Sequence, residues 1–250
     1  MFLRTLWVAA AAAVVVVDSG LPLPPYIKAC GRHDPNLNEC ARRNGNAALP
    51  TLVKGDPKYR LPVLDPLLVE RFMVDQGSGP VSIKLEGTDM LLYGLKDTSI
   101  EALNIDLDGN KMSAQVTIPH IFIRSKYRLV GQVLVLPIRG NGYFNMTIDG
   151  FSCTTNHILQ RVEEKGQVYL RFLPPKIKYD VKKATMYFEN LFNGDKRLGD
   201  TMNSFLNQNW RELYKEIGPA VGEVIRTVLQ TILSAAMEGV ALDDLLPEGA

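Results

Sequence analysis

The sequence predicts an α+β fold in which a long C-terminal helix is wrapped by a strongly curved antiparallel sheet. Three observations carry this expectation. Between Glu70 and about Phe188, apolar and polar residues alternate, the mark of strands with one buried face. Short turn segments rich in Gly, Asn and Asp punctuate these runs, so neighbouring strands are joined as hairpins and lie antiparallel. From Asp195 to Met237 the apolar period lengthens to three or four, the stripe of an amphipathic helix.

The chain opens with a leader. Arg4 precedes an unbroken apolar run of 12 residues, Leu6 to Val17, followed by Asp18, Ser19 and Gly20. Such a run is too short for a bilayer core of ~30 Å, which needs ~20 residues. A charged start, a short apolar centre and small residues at the end describe a secretory signal peptide. Residues 1–20 are assigned to it, with cleavage near Ser19 or Gly20, and residues 21–250 to a single extracellular domain.

Secretion sets the reading of the three cysteines. Cys30 and Cys40 lie close together and form a disulfide in an oxidising compartment, worth ~3 kcal/mol for so short a loop. Cys153 is left over and reads as a small buried apolar residue on a strand. Between the paired cysteines, Asp34-Pro35 fits a helix start, and a short helix is expected over 36–43. Pro62 and Pro66 then prevent any long helix.

In the middle of the chain, Val81, Ile83 and Leu85 alternate with Ser82, Lys84 and Glu86. Ala114, Val116 and Ile118 share a face, as do Val133 and Val135, then Phe144, Met146 and Ile148, then Val168, Leu170 and Phe172. Turns are expected at 76–80, 108–110, 139–142 and 165–166. The runs are long enough to curl, and Pro119 and Pro137 mark bends or edges. In the final quarter, Gly218-Pro219 interrupts the helical stripe, so a kink or break is expected there. Pro219 to Met237 approaches membrane-spanning length, but Glu223, Arg226 and Gln230 within it point to a helix with a buried face, without stable membrane insertion.

Chemistry-bearing motifs are sparse. A formal net charge of +1 and the lack of a basic run give no pull toward nucleic acid. His33, His120 and His157 are too far apart for the HExxH zinc motif, and no metal or cofactor is expected. No G-x-S-x-G elbow occurs, and the glycines at 140 and 142 lack the third glycine of a dinucleotide fingerprint. No catalytic residue is assigned. Asn145-Met146-Thr147 is a glycosylation sequon, with Asn145 pointing away from the apolar face. A surplus of large or flexible apolar groups remains: Phe122, Phe144, Met146, Phe172, Met186, Phe188, Met202, Phe205 and Trp210. Each alone reads as core; as a set they suit an apolar cavity that adapts to a lipid. A secreted hydrolase of lipid esters is the weakest alternative, since no nucleophile can be named.

The block PYIKACGRHDPNLNECARR, with two cysteines around Asp34-Pro35, resembles the opening motif of the insect takeout and juvenile-hormone-binding proteins. The block SFLNQNWRELYKEIGPAVGEVIRTVLQTI, with Asn207, Trp210 and Pro219, is similar to their second motif, and LPVLDPL and LDDLLP fit as well. The resemblance covers the whole mature chain. It implies a sheet rolled around a long helix with an internal hydrophobic tunnel. It also implies a secreted, non-enzymatic carrier of a terpenoid such as juvenile hormone, a quinone or a fatty-acid-like lipid. Some members are linked to circadian output, feeding or chemosensory behaviour. The hormone-binding branch has a second disulfide; Cys153 alone cannot supply it, which favours the takeout-like branch. A monomer with a small hydrophobic ligand is the resulting expectation. The alternative is an extracellular signalling or interaction protein of the same fold with no small molecule.

Overall fold

A computed structural model describes residues 20–76, 81–133 and 136–249. The leader up to Ser19 and the turn at 77–80 lie outside the described residues. In chain order the elements are α1 (Leu37–Leu52), β1 (Leu67–Gln76), β2 (Val81–Tyr93), β3 (Ser99–Asp106), β4 (Lys111–Val133), β5 (Leu136–Glu164), β6 (Gln167–Phe172), β7 (Lys176–Phe188), α2 (Lys196–Gln208), α3 (Trp210–Met237) and α4 (Leu242–Leu245). The strands form one antiparallel sheet ordered β1-β2-β4-β5-β6, with β3 beside β4 and β7 beside β5. It curls into a half-barrel, and α3 packs against β1, β2, β6 and β7.

The two longest strands are the spine. β4 and β5 pair from Lys111↔Ile158 to Val133↔Leu136. β2 flanks one half of β4 and β3 the other. β7 and β6 share β5 in the same way. The turn at Lys165-Gly166 forms as expected, both residues having positive φ as the tight hairpin requires. The turn expected at 139–142 does not form, because those residues lie inside β5. Their glycines serve close approach instead: a Cβ on Gly140 would stand 2.5 Å from Tyr127 Oη and 2.8 Å from Leu191 Cδ2.

A crease crosses the spine. In β4 the buried positions are Ile118 and then Ile121, with Pro119 and His120 both exposed between them. In β5 the inward phase switches across Asp149 and Gly150, and in β7 across Lys182 and Lys183. These positions face one another: His120 pairs Asp149, and Asp149 pairs Lys183. Pro119 gives no ladder N–H, and Gly150 sits at φ 66°. All three strands therefore exchange faces at one level while keeping their register, and the sheet bends there.

Helices cover two free sheet edges. β3 pairs only with β4 and β7 only with β5, so each has backbone groups needing partners. On α1, Asn46 Oδ1 accepts from Ile100 N at 2.8 Å while its Nδ2 donates to Ile100 O at 3.0 Å; Asn38 Oδ1 accepts from Ile105 N at 2.8 Å. This explains why α1 runs to Leu52 rather than stopping at Arg43: Asn44, Gly45 and Asn46 are docking residues, not breakers. Asn44 Nδ2 donates to Lys28 O, and a Cβ on Gly45 would meet Ile100 Cδ1 at 2.9 Å. The start also moves, with Asn36 rather than Asp34 at the N-cap.

On α2 the same device is tighter. Asn203 accepts from Phe188 N and donates to Phe188 O, both at 2.9 Å. Asn207 accepts from Met186 N at 2.8 Å and donates to Met186 O at 2.7 Å. Four helical residues rise ~6 Å and two strand residues ~6.6 Å, so the spacings match. The break in the last quarter falls at Asn209, not at Gly218-Pro219; Pro219 lies inside α3. Asn209 leaves helical geometry and its Nδ2 donates to Phe205 O, capping α2.

Asn203 is buried, so Asn203→Ala leaves two buried backbone groups of Phe188 unpaired. The expected cost is about 2–4 kcal/mol, read as a lower urea midpoint with an unchanged slope.

Candidate functional site

The concave side holds four apolar clusters. One end of the roll is densely filled: Phe144 stacks on Phe188 at 5.4 Å, Tyr127 meets Phe188 edge-on at 5.0 Å, and Met202, Leu206 and Leu213 close over them. The opposite end is also sealed. The Cys30–Cys40 disulfide forms as expected and packs with Leu170, Phe172, Leu242 and Leu246. Arg32 ties this end down, its Nε donating to Leu246 O at 3.0 Å and its guanidinium pairing with Asp243 and Glu248.

Between the ends, α3 faces the sheet with a long apolar stripe. Ile225 and Leu229 lean toward the cluster of Ile118, Phe151 and Val181; Val228 and Ile232 lean toward that of Leu61, Leu64 and Leu67. All four remain only half buried. Of the 28 residues of α3, only Leu213, Gly222 and Ala236 are buried, so its apolar face keeps accessible surface along its middle.

An open groove lies beside this region, between β7 and α3. Its volume is about 620 Å³, within the ~300–1,000 Å³ of small-molecule sites. Pro175, Ile177, Tyr179, Tyr214 and Gly222 supply its walls, and Lys176, Lys178, Lys215, Glu223 and Arg226 stand among its lining. Arg226 is ion-paired with Glu223. Tyr179 Oη donates to Gly218 O at 2.8 Å and Tyr214 Oη to Tyr179 O at 2.7 Å. Burial raises both phenols above their ordinary range, so they act as neutral donors. Gly222 is buried, and a Cβ there would only just touch Tyr179 Cε1 at 3.5 Å, so the missing side chain adds to the groove.

The expected cavity residues separate. Phe144, Phe188 and Met202 are fully packed in the first end, with Met146, Met186 and Phe205 half buried against them. Phe172 belongs to the disulfide end. Trp210 is half buried beside Tyr214 at 6.5 Å, with Arg211 over its ring. Phe122 is a correction: it is 40 % exposed on the convex face, paired with Tyr93 at 5.9 Å. The inward phase of β4 reverses at Pro119, which leaves Phe122 on the outward side. The groove residues Ile177, Tyr179, Tyr214 and Gly222 were not singled out from sequence; alternation in β7 marks the inward side of the first two, but nothing local marks the space beside them. Asn145 faces the convex side between Arg124 and Tyr187 as expected, but is half buried. Among the described residues, no group of three His, Cys, Asp or Glu side chains is placed to hold a metal.

This architecture matches a known one. Residues 6–247 match the family described as Haemolymph juvenile hormone binding protein (JHBP). The chain belongs to this family. The crystal structure of Epiphyas postvittana Takeout 1 superimposes with a TM-score of 0.78 at 26% identity, covering 88% of this chain and 99% of that one. Circadian clock-controlled protein daywake of Drosophila melanogaster is 25% identical over 205 residues, 79% of this chain and 78% of its own. A candidate beta-carotene-binding protein of Schistocerca gregaria is 25% identical over 139 residues, 55% of this chain and 54% of its own. Within this family fold, α3 is the helix inside the roll; by length and composition it is long and apolar enough to cross a membrane.

Cys153 is unpaired and buried, and burial pushes its thiol up to about 11. At pH 8 only on the order of one molecule in a thousand carries the thiolate. A thiol reagent is therefore expected to find no reactive cysteine in the native protein and one after unfolding in urea without reductant.

Proposed function

We propose that the protein is a secreted carrier of a small hydrophobic ligand, held between α3 and the concave face and entering through the groove beside β7. The observation that carries this reading is the half-buried apolar stripe of α3. Two well-filled ends bracket a helix whose aliphatic face and facing strand residues keep accessible area. A chain-like ligand covering that area gains ~0.8 kcal/mol per CH₂, enough for micromolar affinity from about ten such groups. Neutral phenols and the absence of an assigned nucleophile fit holding rather than converting a ligand. The family's description, which names juvenile hormone binding, and the name of the beta-carotene-binding relative support the same class. The ligand falls within terpenoids, quinones and fatty-acid-like lipids, and the tunnel itself is part of this proposal.

Secretion rests on the leader and on the docking of the residues that follow it. Leu21 N already donates to Gly239 O at 2.7 Å, and Tyr169 abuts Gly20, so the chain is docked immediately after the proposed cleavage site.

Native mass spectrometry of protein purified from eukaryotic secretory culture is expected to show an adduct that organic extraction removes. Protein that carries no adduct and binds no apolar probe after extraction would overturn the reading. Gly222→Leu, which fills the groove, is expected to weaken binding of a fluorescent apolar probe by about tenfold with little change in thermal midpoint. Intact mass of the secreted protein is expected to show removal of residues 1–20 or 1–19. Glycosidase treatment of the same sample, with Asn145→Gln as control, tests the proposed glycan.

A further inference from the structure

Buried polar atoms near the sealed disulfide end are left over by the fold. His157 is 2 % exposed, and its place in β5 between buried Thr155 and Leu159 puts it on the concave face. Among the described residues its ring nitrogens find no side-chain partner, with only the Leu173 backbone beside them, and the buried Oε1 of Gln230 on α3 has no hydrogen bond. Both side chains meet at Phe172: the His157 ring lies edge-on to the Phe172 ring at 6.0 Å, and Gln230 Nε2 donates to Phe172 O. Gln230 Nε2 also donates to Ser234 Oγ at 3.0 Å, and Ser234 Oγ donates to Glu238 Oε1 at 2.9 Å. Glu238 Oε1 further accepts from Phe172 N at 3.3 Å. This chain fixes the Gln230 amide, so its unpaired oxygen is held in place. Gln230 lies one helical turn beyond Arg226 of the groove, and the groove wall at Pro175 follows Phe172 by three residues.

Leaving buried polar groups unpaired costs more than hydrogen bonding them gains, so native proteins retain such groups where something meets them. We propose that His157, with Gln230, is the anchor for one terminal polar group of the hydrophobic ligand, and that this group is a hydroxyl. Burial lowers the imidazole's affinity for a proton and outweighs a backbone hydrogen bond with Leu173 that raises it, so the ring is neutral, its N–H turned to Leu173 and its other nitrogen an acceptor. Gln230 Oε1 only accepts. The two ring nitrogens point apart, so one hydroxyl meets only one of them; with the N–H directed at the Leu173 backbone, a hydroxyl donates to the other nitrogen or to Gln230 Oε1. An ester or ketone only accepts, so it can bond neither of these acceptors. A carboxylate is disfavoured by the Gln230 oxygen and by Glu238 at the C-terminal cap of α3. The inference rests on the carrier reading and narrows its ligand to apolar alcohols.

The test compares hexadecan-1-ol, methyl hexadecanoate and hexadecane as displacers of a fluorescent apolar probe from delipidated protein. The wild type is expected to prefer the alcohol over both others by about tenfold. His157→Phe is expected to erase that preference while hexadecane binding holds, and His157→Asn to restore part of it. Gln230→Met gives a second route should His157→Phe fail to fold, with the same loss of preference expected. If no probe displaces, the carrier reading itself fails. If all three bind alike in the wild type, or the preference survives both His157→Phe and Gln230→Met, the anchor is overturned and the carrier reading stands.

Discussion

A sheet that curls without closing must satisfy its edges, and asparagine is what satisfies them here. β3 and β7 each end a ladder, and each meets a helix whose carboxamides imitate a neighbouring strand. A carboxamide offers the donor and acceptor of a peptide group at the tip of a short side chain, so it can pair with both N–H and C=O of one residue. On β7 the rise of α2 repeats that match twice, at Phe188 and Met186. Without these pairings the edges would template association with other chains. With them, α2 is fixed on the sheet, and α3, which follows after Asn209, is launched across the concave face. The position of the central helix thus follows from the edge chemistry.

The remaining shape comes from the crease and the two sealed ends. Bending at Pro119, Gly150 and the Lys182-Lys183 step lets strands as long as β5 wrap a helix rather than run past it. The ends are closed by different means, aromatic packing at one and a disulfide with a salt-bridged strap at the other. Packing is therefore spent at the extremities, and the middle of α3 keeps the accessible apolar surface that defines the candidate site.

Much of this was legible in the sequence because burial imposes periodicity. The strand-rich middle, the amphipathic final quarter and the Cys30–Cys40 pair were read from local pattern and compartment. The misreadings share a cause. Asn44-Gly45-Asn46 and Arg139–Gly142 have the composition of turns, yet their polar and small residues are used by partners distant in sequence: the edge of β3, and Tyr127 with Leu191. Likewise Pro219 sits in a helix that tertiary packing sustains, whereas the chain breaks at Asn209, where a side chain caps Phe205. Phe122 was counted among the cavity candidates for its size and apolarity, which carry no sign that the inward phase of β4 reverses after Pro119. A cavity leaves still less trace, since Ile177 and Tyr179 alternate identically whether they face a neighbour or a space.

The crease also constrains how such a chain can change. Its three strands switch faces together, opposite one another, with pairing intact. A one-residue insertion in a single strand would invert every side chain beyond it against unchanged neighbours. Only matched changes in β4, β5 and β7 preserve the arrangement, so length variation is confined to the connections. The strands are free to exchange apolar side chains for others, and the volume enclosed can be retuned while the frame around it is held in register.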